Sequence, residues 1–240
     1  MLKLATTQLP YELWPCVFSD VDDTIIRGKS LAGFLVELAS HSSSDEARRL
    51  RDVTLHIETL LQADAPRAEL NALYYQHVLV GRTVAEVERC ARAWFARSLK
   101  SQHFLESAVV EFLRDCMLRG SRLVLVTGSF SALLQPLLAL LGGGDILGAP
   151  LEVTSGVYTG RLLGPPVIGA GKVTALQHYA REHGVSLERC VGVGDDLSDL
   201  PFLQMLGTRF VPRNAHSSLL ERVGSQGWHV LETSVGRYVP

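Results

Sequence analysis

The run from Cys16 to Thr24 limits the possible folds more than any other stretch of the chain. Cys16, Val17, Phe18 and Ser19 suit a buried strand, and Asp20, Asp22 and Asp23 then follow within four positions. Branched and aromatic residues fit a pleated, buried surface. Carboxylates at close range repel one another unless something positive sits among them. The segment is therefore either a very acidic turn or a site that holds a cation.

The remainder of the sequence indicates what surrounds this strand. Leu31, Phe34, Leu35 and Leu38 follow the spacing of a helix with one apolar face. From about 42 to 101 the pattern stays helical. Thr83 and Glu86 form a capping-box pattern, and Val87, Cys90, Trp94 and Leu99 continue a stripe expected to be buried. Beyond 101 strands and helices alternate. A helix over 105–119 precedes the continuous apolar run Leu123–Val126, which reads as a central parallel strand. A helix at 130–141 follows, then a hairpin at 151–163 with its turn at Ser155-Gly156. A helix at 171–183, a strand at 190–194 and a helix from about 198 come next. Short strands near 209–212 and 228–232 flank a last helix. Gly142-Gly143-Gly144 reads as a helix stop and loop.

This order predicts an α/β fold: a Rossmann-like open, mostly parallel sheet with helices on both faces. The helical block does not alternate, so it reads as a small all-helical cap domain inserted after the first strand. The expected division is 1–28 with 102–240 as the core and 29–101 as the cap. At 240 residues, 47% of them hydrophobic, the chain has enough material for both. A net charge of −2 leaves no electrostatic footprint for nucleic acid or an anionic membrane. Cys16, Cys90, Cys116 and Cys190 are widely spaced, as reduced thiols of a cytoplasmic protein would be. No signal-peptide pattern and no apolar run of the ~18 to 20 residues a membrane span needs is present.

In an open α/β sheet, ligands bind beyond the carboxyl ends of the strands. Four groups of polar residues fall there. They are Asp20, Asp22, Asp23 and Thr24; Thr127, Gly128 and Ser129; Lys172; and Asp195, Asp196 and Asp199. Taken singly, each has an ordinary explanation as a cap or a surface charge. Together, Asp20, Asp22 and Asp195 would concentrate negative charge in one cleft. Oxygen ligands without His or Cys select a hard cation, Mg²⁺ fitting best. A carboxylate held beside such an ion and a lysine can attack phosphorus. A second carboxylate two positions on can shuttle the proton. Thr127 and the N–H groups near Gly128 would hold phosphate oxygens, with Lys172 supplying fixed positive charge.

Asp20-Val21-Asp22-Asp23-Thr24 resembles the D-x-D-x-T motif of the haloacid dehalogenase superfamily of phosphohydrolases. The strand ending in Thr127-Gly128-Ser129 resembles its second motif, Lys172 its third, and Gly194-Asp195-Asp196 through Asp199 its fourth. The helical insertion resembles the cap of the phosphoserine-phosphatase-like branch. The resemblance implies Asp20 as nucleophile and Asp22 as acid/base. It implies Mg²⁺ on the Asp20 carboxylate, the Asp22 carbonyl and Asp195, with Asp199 in support. It also implies a small phosphorylated metabolite as substrate, selected by a cap that closes to exclude water. Asp23 would tie the turn through its backbone, and Asp196 has no assigned role.

One position departs from the pattern. Phosphoserine phosphatases carry a glutamate nine residues after the nucleophile, where this chain has Lys29. A lysine there repels a substrate ammonium and favours an anionic or neutral polar group. Tyr74, Tyr75, His77 and Arg82 in the cap read mainly as packing or surface residues. Two other readings share the chemistry: a phosphotransferase with an alcohol acceptor, and a phospho-aspartate signalling receiver. The latter is about half this length and carries its acidic pair before the phosphorylated aspartate.

Overall fold

The computed structural model describes residues 13–232 except 64 and 224. The outer parts of the expected core, 1–12 and 233–240, lie outside the described residues. In chain order the strands are β1 (Cys16–Ser19), β2 (Arg122–Val126), β3 (Asp145–Leu147), β4 (Leu151–Thr154), β5 (Val157–Leu162), β6 (Val191–Val193), β7 (Thr208–Pro212) and β8 (His229–Leu231). Six of them form one sheet in the order β3-β2-β1-β6-β7-β8, with every neighbouring pair parallel. β1 is buried along its whole length. It sits centrally because its alternate side chains feed two apolar layers. Val17 joins the layer that holds Leu123 and Leu125, and Phe18 joins the layer that holds Val124 and Val126.

Helices cover both faces. α5 (Ser107–Leu118) and α6 (Ser131–Leu141) lie on the Val17 side. α7 (Ala170–His183) lies on the Phe18 side with two short helices, α8 (Leu200–Leu203) and α9 (Ser217–Leu220). The fold class read from the sequence is therefore present. Gly142 ends α6 in the left-handed region at φ +113°, so the glycine run is a stop rather than a phosphate loop. β3 was not expected. It has three half-buried residues directly behind the glycines, too short and mixed in polarity to show a period. All four cysteines are free and buried.

Between β1 and α5 the chain is helical throughout: α1 (Ser30–Ser40), α2 (Ser44–Gln62), α3 (Arg67–Tyr74), a π-helical turn at Tyr75–Leu79, and α4 (Val84–Ser98). Thr83 caps α4 by accepting from the Glu86 N–H at 3.2 Å. Val87, Cys90 and Trp94 are buried along its inner face, but Leu99 is 41% exposed. Leu99 lies one residue past the helix, where the chain turns out to solvent. The inner face of these helices packs on α6, with Phe34 and Tyr75 both edge-on to Phe130 at 5.6 and 5.9 Å. β4 and β5 form the expected hairpin, and Ser155 and Gly156 turn it with φ +51° and +76°. The hairpin does not extend the sheet. Its Tyr158 exchanges backbone hydrogen bonds with Gly81 and Arg82, each 2.9 Å, and so fastens the helical block to the core.

Candidate active site

The β1 strand stops at Ser19, directly before the aspartates. The Asp20 N–H still donates to the Val193 carbonyl at 2.9 Å, which fixes Asp20 at the junction of β1 and β6. The chain then turns sharply, and the Val21 carbonyl accepts from the N–H groups of Thr24, Ile25 and Ile26. Asp22 therefore reaches the same cavity as Asp20 by way of a turn and not along an extended pleat. Its carboxylate accepts from the Ser30 N–H at 2.9 Å, at the first residue of α1.

Lys172 is 4% exposed and donates to Asp20 at 2.5 Å and to Asp199 at 2.6 Å. Burial pulls its ammonium pKa down, but Asp199 and Asp20 outweigh that and hold it above the ordinary lysine range. Asp199 is fixed in turn. Its Oδ2 accepts from the Asp195 and Asp196 N–H groups at 3.1 and 3.2 Å. This close approach requires glycine at 194, because a Cβ there would meet the Asp199 Cβ and Oδ2 at 2.9 Å. Thr24 Oγ1 bridges the first and last motifs, 2.6 Å from Asp195 Oδ1 and 3.2 Å from Asp20 Oδ2.

Carboxylate oxygens of Asp20, Asp195 and Asp199 lie within 4.8 Å of one another, and all three residues are buried. Lys172 is the ammonium among them, so three negative charges face one positive. The electrostatic strain shows in the proton affinities. Burial and the Asp20 charge push Asp195 up to about 7. Burial pushes Asp199 up to about 6 against the pull of Lys172. Burial also raises Asp22, although the Ser30 hydrogen bonds oppose it. An all-oxygen donor set with surplus negative charge fits a hard divalent cation. The oxygens of Asp199 already face Lys172 and two backbone N–H groups.

On the other side of β1, the Thr127 N–H donates to the Leu147 carbonyl and its Oγ1 accepts from the Ser129 N–H, both at 3.0 Å. Gly128 lies between them, in the turn that leads into α6. Its carbonyl accepts from Tyr75 Oη at 2.5 Å, a contact made from the π-helical turn. Ser129 pairs with Ser30 through their hydroxyls at 3.2 Å. Asp20, Asp22, Thr127, Gly128, Ser129, Lys172, Asp195 and Asp199 thus all face one cavity, and Lys29 stands at its edge.

Lys29 does not offer a free charge, since its Nζ lies 2.7 Å from Asp23 Oδ2. Asp23 holds the turn with both side chain and backbone. At φ +66° it accepts from the Gly28 N–H through its carboxylate and from Asn214 Nδ2 through its carbonyl. Asp196 caps the turn at Ser198 and pairs with Arg67 of α3 at 3.2 Å. Arg82 is buried between Glu46 and Glu86, and His77 is exposed. Neither lines the cavity, whereas Tyr74 does. The sequence reading missed Arg67, Asn71 and the contact made by Tyr75. No local pattern marks a residue whose partner lies more than 50 positions away in the chain.

A central strand flanked by two others, with an aspartate held by a lysine at its carboxyl end, places the acidic site where open α/β sheets take their ligands. Residues 17–204 match the model of the haloacid dehalogenase-like hydrolases, and the chain belongs to that family. It is 26% identical over 239 residues to phosphoserine phosphatase SerB1 of Mycobacterium tuberculosis, covering 96% of this chain and 74% of that one. A crystal structure of a Bordetella pertussis protein with unknown function shares the fold at a TM-score of 0.79 with 20% identity, covering 90% of this chain and 97% of the other. A phospho-aspartyl intermediate analogue of phosphoserine phosphatase shares it at 0.60 with 17% identity, covering 91% and 93%. Among the described residues no helix is long and apolar enough to cross a membrane.

Proposed function

We propose that the chain is a Mg²⁺-dependent phosphatase that hydrolyses a small phosphomonoester through a phosphorylated Asp20. The observation that carries this reading is the convergence of Lys172, Thr24 and Asp195 on the Asp20 carboxylate. Asp20, Asp195 and the backbone around Asp22 would hold the cation, which supplies charge neutralisation for the phosphoryl oxygens.

The residues of the chain do the rest. Thr127 and the N–H groups at Gly128 and Ser129 bind the phosphoryl oxygens, and Lys172 orients the Asp20 carboxylate. An Asp20 oxygen attacks phosphorus while the ester oxygen leaves, taking the proton of Asp22. The raised proton affinity of Asp22 supports its carrying that proton. Asp22, now ionised, accepts a proton from water as the water attacks phosphorus. Phosphate leaves and Asp20 is restored. Residues 29–101 act as the cap over 1–28 and 102–240. The free buried thiols fit a reducing, cytoplasmic setting.

The test is phosphate release from a generic aryl phosphate with Mg²⁺ and with chelator, combined with peptide mapping after acid quench. The expected result is Mg²⁺-dependent release with phosphate trapped on the peptide carrying Asp20. Release that persists in Asp20→Asn would overturn the mechanism, and transfer of the phosphoryl group to an added alcohol in preference to water would make the enzyme a phosphotransferase.

A further inference from the structure

The cavity above Asp20 has a volume of about 400 Å³. Its floor is the polar site described above, but its wall is of a different character. Leu31 and Leu35 of α1, Ile57 of α2, Leu70 and Tyr74 of α3, and Ile168 form that wall. Leu35, Leu70 and Tyr74 are each under 9% exposed, so this surface is built into the packing of the helices. The Tyr74 hydroxyl is turned away from the ligand space by its bond to the Leu31 carbonyl at 2.9 Å.

The charged groups beside the wall are already matched. Lys29 is held by Asp23 and Arg67 by Asp196, while Lys172 belongs to the floor. A substrate carboxylate next to the ester would find no cation without a partner among the described residues that line the cavity. It would instead meet the carboxylate of Glu58, which also lines the cavity and disfavours an anion. A substrate ammonium near the ester would meet Lys29 and Asp23 as a matched pair and not as an unpaired carboxylate. The apolar wall gains from contact with hydrocarbon and loses when it desolvates a charge.

We infer that this site takes phosphate monoesters of apolar alcohols, with neither carboxylate nor ammonium near the ester carbon. The inference rests on the phosphatase reading for its chemistry, but the wall gives it a readout of its own. The leaving group contributes binding energy in proportion to the methylenes it buries. Each added methylene is worth about a threefold to fourfold gain until the wall is covered.

The experiment runs the full-length protein with Mg²⁺ on straight-chain alkyl phosphates from ethyl to hexyl, and on phosphoserine. In parallel, calorimetry measures binding of the matching alkyl phosphonates, which cannot be hydrolysed. Both kcat/KM and phosphonate affinity are expected to rise with chain length, and phosphoserine to fall at least tenfold below butyl phosphate. In Ile57→Asn and Leu31→Asn the gain per methylene is expected to flatten. Phosphoserine turned over as well as butyl phosphate, an affinity that does not change with chain length, or an undiminished gain in both variants would overturn the inference. Absence of all turnover with chain-length-dependent phosphonate binding would remove the phosphatase reading and leave the apolar site standing.

Discussion

Thr24 Oγ1 lies 2.6 Å from Asp195 Oδ1, a contact that closes 171 positions of sequence. It joins the turn after β1 to the turn after β6 through one hydroxyl, with Asp20 at 3.2 Å on the same atom. A hydroxyl donates one hydrogen, so it cannot fully satisfy two carboxylates. The surplus negative charge on this pair fits the cation proposed above.

The metal-free protein should therefore be strained, and pH should reveal it. Asp195 and Asp199 have folded proton affinities of about 7 and about 6, against 3.8 for a free aspartate. Between 3.8 and those values the folded state binds more protons than the unfolded state. Their contribution to stability is thus full below pH 3.8 and is lost as pH rises through 6 to 7. Thermal melts of chelated protein should show this loss from pH 5 to pH 8, and Mg²⁺ should flatten it. A chelated protein at least as stable at pH 8 as at pH 5 would contradict the assignment.

Asp195→Asn removes one of the crowded charges. In chelator it should raise stability by roughly 1–2 kcal/mol, or about 2–8 °C in Tm for a chain of this size. The same variant should lose the Tm gain that Mg²⁺ gives the wild type. Differential scanning calorimetry with and without Mg²⁺ reads both effects.

Asp20→Asn keeps the volume of the side chain and removes the carboxylate proposed to attack phosphorus. Its kcat should fall on the order of 10³-fold or more, with the far-ultraviolet circular dichroism unchanged. Lys172→Met is a harsher change. It strands Asp20 and Asp199 in a buried site without their ammonium, and should cost about 3–5 kcal/mol in the metal-free protein. Denaturant melts would measure it, and a cost near zero would mean that Lys172 is not the partner that holds them.

Tyr75→Phe deletes the hydrogen bond that the phenol donates to the Gly128 carbonyl. The expected loss of stability is about 1 kcal/mol. If that bond fixes the phosphate-binding turn, inhibition by inorganic phosphate should weaken several-fold while the Tm moves by only a few degrees. Unchanged inhibition would make the contact purely structural.

Arg67→Ala cuts the exposed pair with Asp196. Exposed pairs contribute about 0–1 kcal/mol, so the melt should barely move. Wild-type KM should depend on ionic strength in the range where such pairs are screened, and that dependence should shrink in the variant. Steady-state kinetics across a salt series makes the comparison.

The polar floor of the cavity was legible because its residues sit where strands end. β1, β2 and β6 show as short apolar runs, and the polar residues that close them are sequence neighbours of a strong local signal. The capping box at Thr83 and the turn at Ser155-Gly156 are local too. What the sequence did not reveal is held together across the fold. Asp23 and Lys29 are close in the chain, yet their pairing depends on the left-handed backbone at Asp23. Arg67 meets Asp196, and Tyr75 reaches Gly128 only because a π-helical turn follows α3. β3 is an edge strand of three residues that owes its existence to its pairing with β2. The apolar wall was hidden for a related reason. Leu31, Ile57 and Leu70 each look like ordinary core residues of their own helices, and only the packing of those helices turns them towards one space.

The backbone bonds between Tyr158 and the Gly81-Arg82 segment make the molecule lopsided. On that flank, separating the helices from the sheet would require breaking main-chain pairs. Across the opening near α3, the exposed pair between Arg67 and Asp196 joins the helices to the core. Parting the helices from the core on the α3 side would cost one exposed ion pair, whereas parting them at the β4–β5 hairpin would cost main-chain hydrogen bonds.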